Sequence, residues 1–195
     1  HPSVVALSIG TRPDCLGEDV LDLLNELNQR KPVWVELGLQ TMHERTAVYI
    51  RRGYPLSCFE DAVQNLRKRQ IEVIVHTILG LPGESEKDIL ETMQYLNGQD
   101  IQGIKLQLLH VLKGTDLAED YLAGKFRVYE REEYLNLLID CLEYLDPSIV
   151  IHRMTGDGPE KLLIAPLWAS RKREVLNLLH HEMKVRNSWQ GKQLQ

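Results

Sequence analysis

Short apolar runs alternate with amphipathic helical stretches along the whole chain, and this alternation limits the possible folds more than any other feature. Val4-Val5-Ala6-Leu7-Ser8-Ile9 is nearly all apolar, as expected for a strand buried on both faces. Gly10-Thr11-Arg12-Pro13-Asp14 stops it. Val20, Leu23, Leu24 and Leu27 then recur at helical spacing, and Val33 to Leu39 reads as a second strand. Thr41-Met42-His43-Glu44 has the form of a capping box, opening a helix that ends near Gly53. A second such box, Ser57 to Glu60, opens a helix with Phe59, Ala62, Val63 and Leu66 on one face. Ile71 to Leu79 is the strongest strand signal, and Gly80-Leu81-Pro82-Gly83 breaks it. The pattern predicts a helix from Ser85 to Leu96, a strand from Ile104 to Leu109 and a helix from Glu130 to Leu145. A fifth strand from Ile149 to Met154 and a last helix from Arg171 to Arg186 complete it.

Strands and helices that alternate through short loops imply parallel strands joined by right-handed crossovers. The expected fold class is α/β: a partial (βα) TIM-like barrel with mostly parallel strands and the helices outside. A complete eight-unit barrel needs about 250 residues, and this chain has 195. An apolar strand from residue 4 would leave an exposed sheet edge, so the sequence carries the expectation that another element precedes it. Hydrophobic residues make up 43% and charged residues 26%, a globular balance that argues against disorder. The net charge of −5 disfavours general binding to duplex nucleic acid, and no apolar run reaches the roughly 20 residues of a membrane helix. Cys15, Cys58 and Cys141 are widely separated, with no C-x-x-C. They read as reduced thiols of a cytoplasmic protein and could not by themselves ligate an iron–sulfur cluster.

In parallel α/β folds chemistry collects at the carboxyl ends of the strands. Those ends are Gly10 to Asp14, Glu36 to Thr41, His76 to Glu84, Leu109 to Thr115 and Arg153 to Asp157. Each sets polar groups beside glycine, which lets a ligand approach the backbone. Glu36 and His76 interrupt apolar runs, a position that costs free energy unless the group is paired or used. Taken singly, each feature has an ordinary explanation. Gly-Leu-Pro-Gly is a turn, His76 a satisfied core histidine, Glu36 half of a salt bridge, and Arg51-Arg52 a solvated helix end favoured by the macrodipole.

Taken in order, the motifs resemble the radical S-adenosylmethionine (radical SAM) enzymes. Ser8-Ile9-Gly10-Thr11-Arg12-Pro13-Asp14, Val35-Glu36-Leu37-Gly38-Leu39-Gln40-Thr41, Arg51-Arg52-Gly53 and Ile78-Leu79-Gly80-Leu81-Pro82-Gly83-Glu84 carry the likeness. Ile104-Lys105-Leu106 through Lys113-Gly114-Thr115 continue it. The chain most resembles bacterial proteins of the YhcC/YtqA type and, through Thr-Arg-Pro-Asp, more distantly the catalytic subunit of Elongator. This resemblance implies a partial (βα)₆ barrel whose [4Fe–4S] motif and glycine-rich SAM strand lie upstream. The chain would then be a C-terminal fragment, inactive alone. Residues 1–145 would be barrel, and 146–195 a family-specific strand and helix packed on the same domain.

By position, Gln40 resembles the glutamine that contacts SAM, and Arg52 the arginine placed on the SAM carboxylate, which a guanidinium fork suits. His76 stands where relatives carry a ribose contact, and Ile78 would meet adenine. Thr11 follows Gly10, where relatives have a glutamate, and the resemblance leaves Thr11 or Arg12 to substitute for it. His110 and Asp157 are placed for a substrate-side role. The implied chemistry is reductive cleavage of SAM to a 5′-deoxyadenosyl radical that abstracts hydrogen, with a flavodoxin or ferredoxin as electron donor. The Elongator likeness points to tRNA wobble modification. Lys31, Arg67-Lys68-Arg69 and Arg171-Lys172-Arg173 would contact RNA phosphate or be solvated helix faces. Competing readings are a non-radical (βα)-barrel enzyme using Lys105 or Lys113 as a Schiff-base lysine, and a catalytically inactive barrel that serves as an interaction module.

Overall fold

Alternation within each strand sets the architecture. In the computed structural model, which describes residues 1–156 and 158–194, five parallel strands form one sheet in the order β1-β2-β3-β4-β6. These are β1 (Leu7–Thr11), β2 (Val33–Gln40), β3 (Glu72–Leu79), β4 (Gly103–Leu108) and β6 (Val150–Arg153). Val33, Val35, Leu37 and Leu39 of β2, Val73, Val75 and Leu79 of β3, and Ile104, Leu106 and Leu108 of β4 are buried in one core. That core also takes the apolar stripes of α1 (Glu18–Asn28), α3 (Leu56–Lys68), α4 (Glu86–Asn97), α6 (Arg131–Glu143) and α7 (Lys172–Val185). The alternate residues, Glu36, Gly38 and Gln40 on β2 and His76 and Ile78 on β3, are only half-buried on the opposite face. The α/β class and the mostly parallel, barrel-like sheet agree with the sequence pattern.

Three local readings need correction. The first strand is not buried on both faces: it covers Leu7–Thr11, pairs only with β2, and leaves Leu7 exposed, with Val4 and Val5 outside it. The Thr41 capping box does not form. Instead α2 (Glu44–Tyr49) has His43 at its N-cap, and Thr41 donates its hydroxyl to Glu84 Oε1 at 2.5 Å. Ser57 does not cap α3, which begins one residue earlier, at Leu56, behind Pro55. Ser85 does cap α4, through a reciprocal box with Asp88.

Segments following β4 and β6 form a small annex beside the sheet. The short antiparallel pair β5 (Val111–Leu112) and β7 (Leu163–Ala165) joins α5 (Asp116–Leu122). Val111, Ala118 and Ala165 form a second, smaller core there. No described helix is long and apolar enough to cross a membrane.

Leu106, fully buried at the centre of β4, is a direct test of the single main core. Leu106→Ala is expected to cost about 2–5 kcal/mol of unfolding free energy, read as a lower urea midpoint.

Candidate functional site

The half-buried face of the sheet carries an ionic cluster. Ser8 Oγ donates to Glu36 Oε1 at 2.8 Å, and His76 Nε2 lies 2.8 Å from Glu36 Oε2. Lys105 from β4 forms an ion pair with the same oxygen. Gln107 Nε2 is 2.8 Å from His76 Nδ1. Parallel register brings these groups level, because His76 is paired with Lys105, and Glu36 with Ile74 two residues below His76. Burial pushes the Glu36 carboxyl up, but hydrogen bonds from Lys105, Ser8 and His76 outweigh it and hold its pKa at about 2. Burial lowers the His76 pKa despite the carboxylate beside it. A neutral ring facing an ionised carboxylate carries its proton on Nε2, so Nδ1 accepts from Gln107.

Above this layer the strand ends surround a cavity of about 390 Å³ lined by Gln40, Ile50, Arg52, Ile78, Leu81, Gln107 and His110, among others. Its walls combine apolar side chains with two carboxamides and an imidazole, as small-molecule sites do. The motif glycines Gly80 and Gly83 line a separate, smaller pocket with Tyr129, which shares Leu81 with this one. Gly80 has φ +87°, and a Cβ there would meet the Tyr129 ring at 2.9 Å. Burial also raises the Glu84 pKa, against the Thr41 and Thr46 hydroxyls.

Gln40, Arg52 and Ile78 therefore meet at one cavity, with His76 in the layer beneath it. Thr11 does not join them. Strand alternation sets it on the same side as Ile9, which packs on the helix-covered core, opposite Ser8. His76 has both ring nitrogens engaged by protein groups. His110 lines the cavity, and Asp157 lies outside the described residues.

The end of α2 explains how Arg52 arrives. Arg51 adopts φ 56°, and the Arg52 N–H donates back to Ala47 O at 2.9 Å, which turns the chain toward the sheet. Arg51 stays exposed, paired with Asp116, while the Arg52 side chain is only 1% exposed. Its Nε donates to Tyr54 O at 3.0 Å, Nη1 to Thr41 O at 2.8 Å and Leu39 O at 3.3 Å, and Nη2 to Glu44 at 3.0 Å. The expected solvated helix end thus describes Arg51 alone. Tyr54, which the sequence reading missed, has the guanidiniums of both Arg12 and Arg52 over its ring, 5.4 and 5.1 Å from the ring centre. Gln107 was also missed, although Lys105 and Gln107 alternate with apolar residues on β4 and so mark its polar face.

The cysteines do not fit an iron–sulfur cluster. Cys15 is exposed on the turn after β1, Cys58 is half-buried on α3, and Cys141 is fully buried on α6, with its thiol pKa pushed up by burial. Among the described residues, no cysteine belongs to a group close enough to hold a metal ion. The one candidate group, His43, Asp88 and Glu91, is held by the protein itself: His43 Nε2 lies 2.8 Å from Asp88 O, and Asp88 is bound by Ser85 and Arg45. The expected basic contacts are largely tied down too. Arg67 pairs with Asp100, Arg69 with Glu18 and Asp22, and Lys31 reaches His1 O at 2.6 Å.

A parallel-stranded partial barrel with a mixed polar and apolar cavity at its strand ends defines the class of (βα) proteins that take a small-molecule cofactor at the C-terminal face. Comparison with known proteins makes this specific. The Radical SAM superfamily model matches residues 2–96, and the Radical_SAM C-terminal domain model matches residues 101–185. The YtqA protein of Bacillus subtilis is 48% identical over 97% of this chain and 59% of its own length. A tRNA uridine(34) acetyltransferase of Methanocaldococcus jannaschii is 26% identical over 82% of this chain and 30% of its own length. The fold matches the solved archaeal Elp3 of Methanocaldococcus infernus with a TM-score of 0.82, at 22% identity, over 95% of this chain and 43% of that one. The chain belongs to the radical SAM superfamily and is of the YhcC/YtqA type. The superfamily's cofactors are S-adenosylmethionine and a [4Fe–4S] cluster. The chain spans 59% of YtqA, the relative it matches at 48% identity.

The ionic cluster makes a pH-dependent prediction. A carboxyl whose folded pKa lies below its unfolded value adds stability that is complete above the unfolded value, near 4.5, and is lost as pH falls toward 2. Glu36→Gln is expected to destabilise the fold by about 2 kcal/mol at pH 7, because it leaves Lys105 without its counter-charge. The difference from wild type should shrink as urea unfolding is repeated from pH 5 down to about 3, the window set by that depressed carboxyl. A constant difference would deny that Glu36 carries the charge.

Proposed function

We propose that this chain is the SAM-binding, C-terminal part of a radical SAM enzyme that modifies RNA at a tRNA wobble uridine. The observation that carries this reading is the cavity where Gln40, Ile78 and Gln107 converge beside Arg52 at the strand ends. Ile50, Ile78 and Leu81 supply an apolar wall suited to a purine, and the carboxamides offer donors and acceptors for a sugar or amino acid. In this reading Gln40 and Ile78 contact SAM directly, and His76, fixed by Glu36 and Gln107, supports the floor beneath the ribose. Thr11 takes part only if the end of β1 rotates. The tRNA assignment draws on the likeness to the uridine(34) acetyltransferase.

A [4Fe–4S] cluster, when bound, would supply the electron for reductive cleavage of SAM, with a flavodoxin or ferredoxin as its donor. We place its ligands outside the described residues, since the three cysteines do not fit it. Residues 1–145 then form the C-terminal part of a partial barrel, and 146–195 a family-specific strand and helix packed on the same domain, in a cytoplasmic enzyme. What the present residues do is bind and orient: they enclose the adenosyl group and exclude water from it.

The full-length protein, reconstituted anaerobically, should bind iron and release 5′-deoxyadenosine on reduction, whereas the 195-residue chain alone should do neither. Ile78→Asp in the full-length protein should weaken SAM at least tenfold, about 1.4 kcal/mol, by isothermal titration. Stoichiometric iron on the short chain, or unchanged affinity in the variant, would count against the reading.

A further inference from the structure

The turn that carries Gln40 is strained, and the side chains around it are arranged to hold that strain. Thr41 N–H donates to Leu39 O at 2.8 Å, closing a three-residue turn whose central residue, Gln40, has φ 63°. A turn of this kind at a residue with a Cβ is rare and unfavoured. It sits where the pairing of β2 with β3 slips, between Gly38 and Gln40. Arg52 Nη1 bonds the carbonyls on both sides of Gln40, those of Leu39 and Thr41, and Nε bonds the carbonyl of Tyr54. The Tyr54 hydroxyl is 2.9 Å from Gly38 O and 3.3 Å from Gln40 Oε1. A Cβ at Gly38 would lie 2.8 Å from Gln40 Nε2, so the carboxamide is folded back over a residue that must lack a side chain. Carbonyls and the partly exposed Glu44 engage all three guanidinium nitrogens.

We infer that Arg52 is a positioning residue: its guanidinium clamps the Leu39–Thr41 turn and, with Tyr54, fixes the Gln40 carboxamide at the rim of the cavity, rather than meeting a ligand carboxylate itself. The functional half rests on Gln40 being a SAM contact, as proposed above, while the clamp stands on the protein geometry alone. Only a planar fork reaches carbonyls on both sides of the turn while also bonding Tyr54 O. The ligand-binding surface at this point is the carboxamide, and Arg52 acts through it.

Arg52→Lys, Tyr54→Phe and Gln40→Gly, alone and combined in the full-length protein, test this by thermal melting and by isothermal titration of SAM without reductant. Glycine adopts φ near +60° freely, so the clamp has less to hold once Gln40→Gly is present. Arg52→Lys is expected to lower the melting temperature, and that loss should fall by half or more when Gln40→Gly is added. Arg52→Lys should weaken SAM at least tenfold alone, but no more than twofold beyond Gln40→Gly alone. An undiminished melting loss in the double variant overturns the clamp. A diminished melting loss with an undiminished affinity penalty shows that Arg52 touches the ligand, and overturns the positioning role. If Gln40→Gly leaves SAM affinity unchanged, the SAM reading of Gln40 fails, and the melting comparison still decides the clamp. Should Arg52→Lys fail to fold, Tyr54→Phe, which removes only the hydroxyl, tests the same clamp: its melting loss and SAM penalty should both shrink once Gln40→Gly is added, and either one undiminished overturns the clamp on Gln40.

Discussion

The two faces of the parallel sheet face different surroundings, and most of the structure follows from that. Val35, Leu37, Val73, Val75, Ile104 and Leu106 turn to the helices and are fully buried. Their neighbours turn to the other face, where most are only half-buried. A charged group can occupy that face only if it is paired. Glu36 meets the requirement by drawing Ser8, His76 and Lys105 from three other strands onto one carboxylate. The same contacts set the ring orientation of His76 and, through it, the Gln107 amide at the cavity wall. The ionic layer is therefore a floor whose geometry passes upward into the site.

The parts of the fold that could be read in the sequence are those whose signal is periodic. Ile71 to Leu79, the stripe of Phe59, Ala62, Val63 and Leu66, and the Ser85 cap emerge in the structure within a residue or two of expectation. The annex was not legible. Its strands, Val111–Leu112 and Leu163–Ala165, are too short for a period, and α5 is a seven-residue helix whose N-cap, Thr115, lacks a reciprocal acid. The Thr41 box failed for a tertiary reason. Its hydroxyl goes to Glu84, forty-three positions away, and Arg52 takes its carbonyl. Local capping rules cannot anticipate a competitor that the fold delivers from elsewhere. The Val4–Ile9 run misled in another way, because apolar residues at a sheet edge look the same in sequence as those at its centre.

Of the candidate site, the strand-end rule located the cavity, and the motif resemblance selected Gln40, Arg52 and Ile78, which do converge there. Orientation was not legible. Thr11 falls on the wrong side of β1 by one residue, a difference that motif spacing does not register. Arg52 and Tyr54 bond chiefly to backbone carbonyls, and carbonyls carry no residue identity, so no pattern of side chains announces such contacts.

The positive φ of Gln40 bears on why the site is built this way. Residues in such conformations cost on the order of 1–3 kcal/mol and persist only where their surroundings over-determine them. Glycine at position 40 would remove that cost but would leave no carboxamide at the cavity. Glutamine at φ 63° keeps the carboxamide at the cavity, at the point where β2 slips against β3. A buried arginine on two carbonyls stabilises that choice, and its own charge is met by Glu44 and by the face of Tyr54. The burial of Arg52 follows from the need to hold a functional side chain in a backbone conformation it would not otherwise adopt.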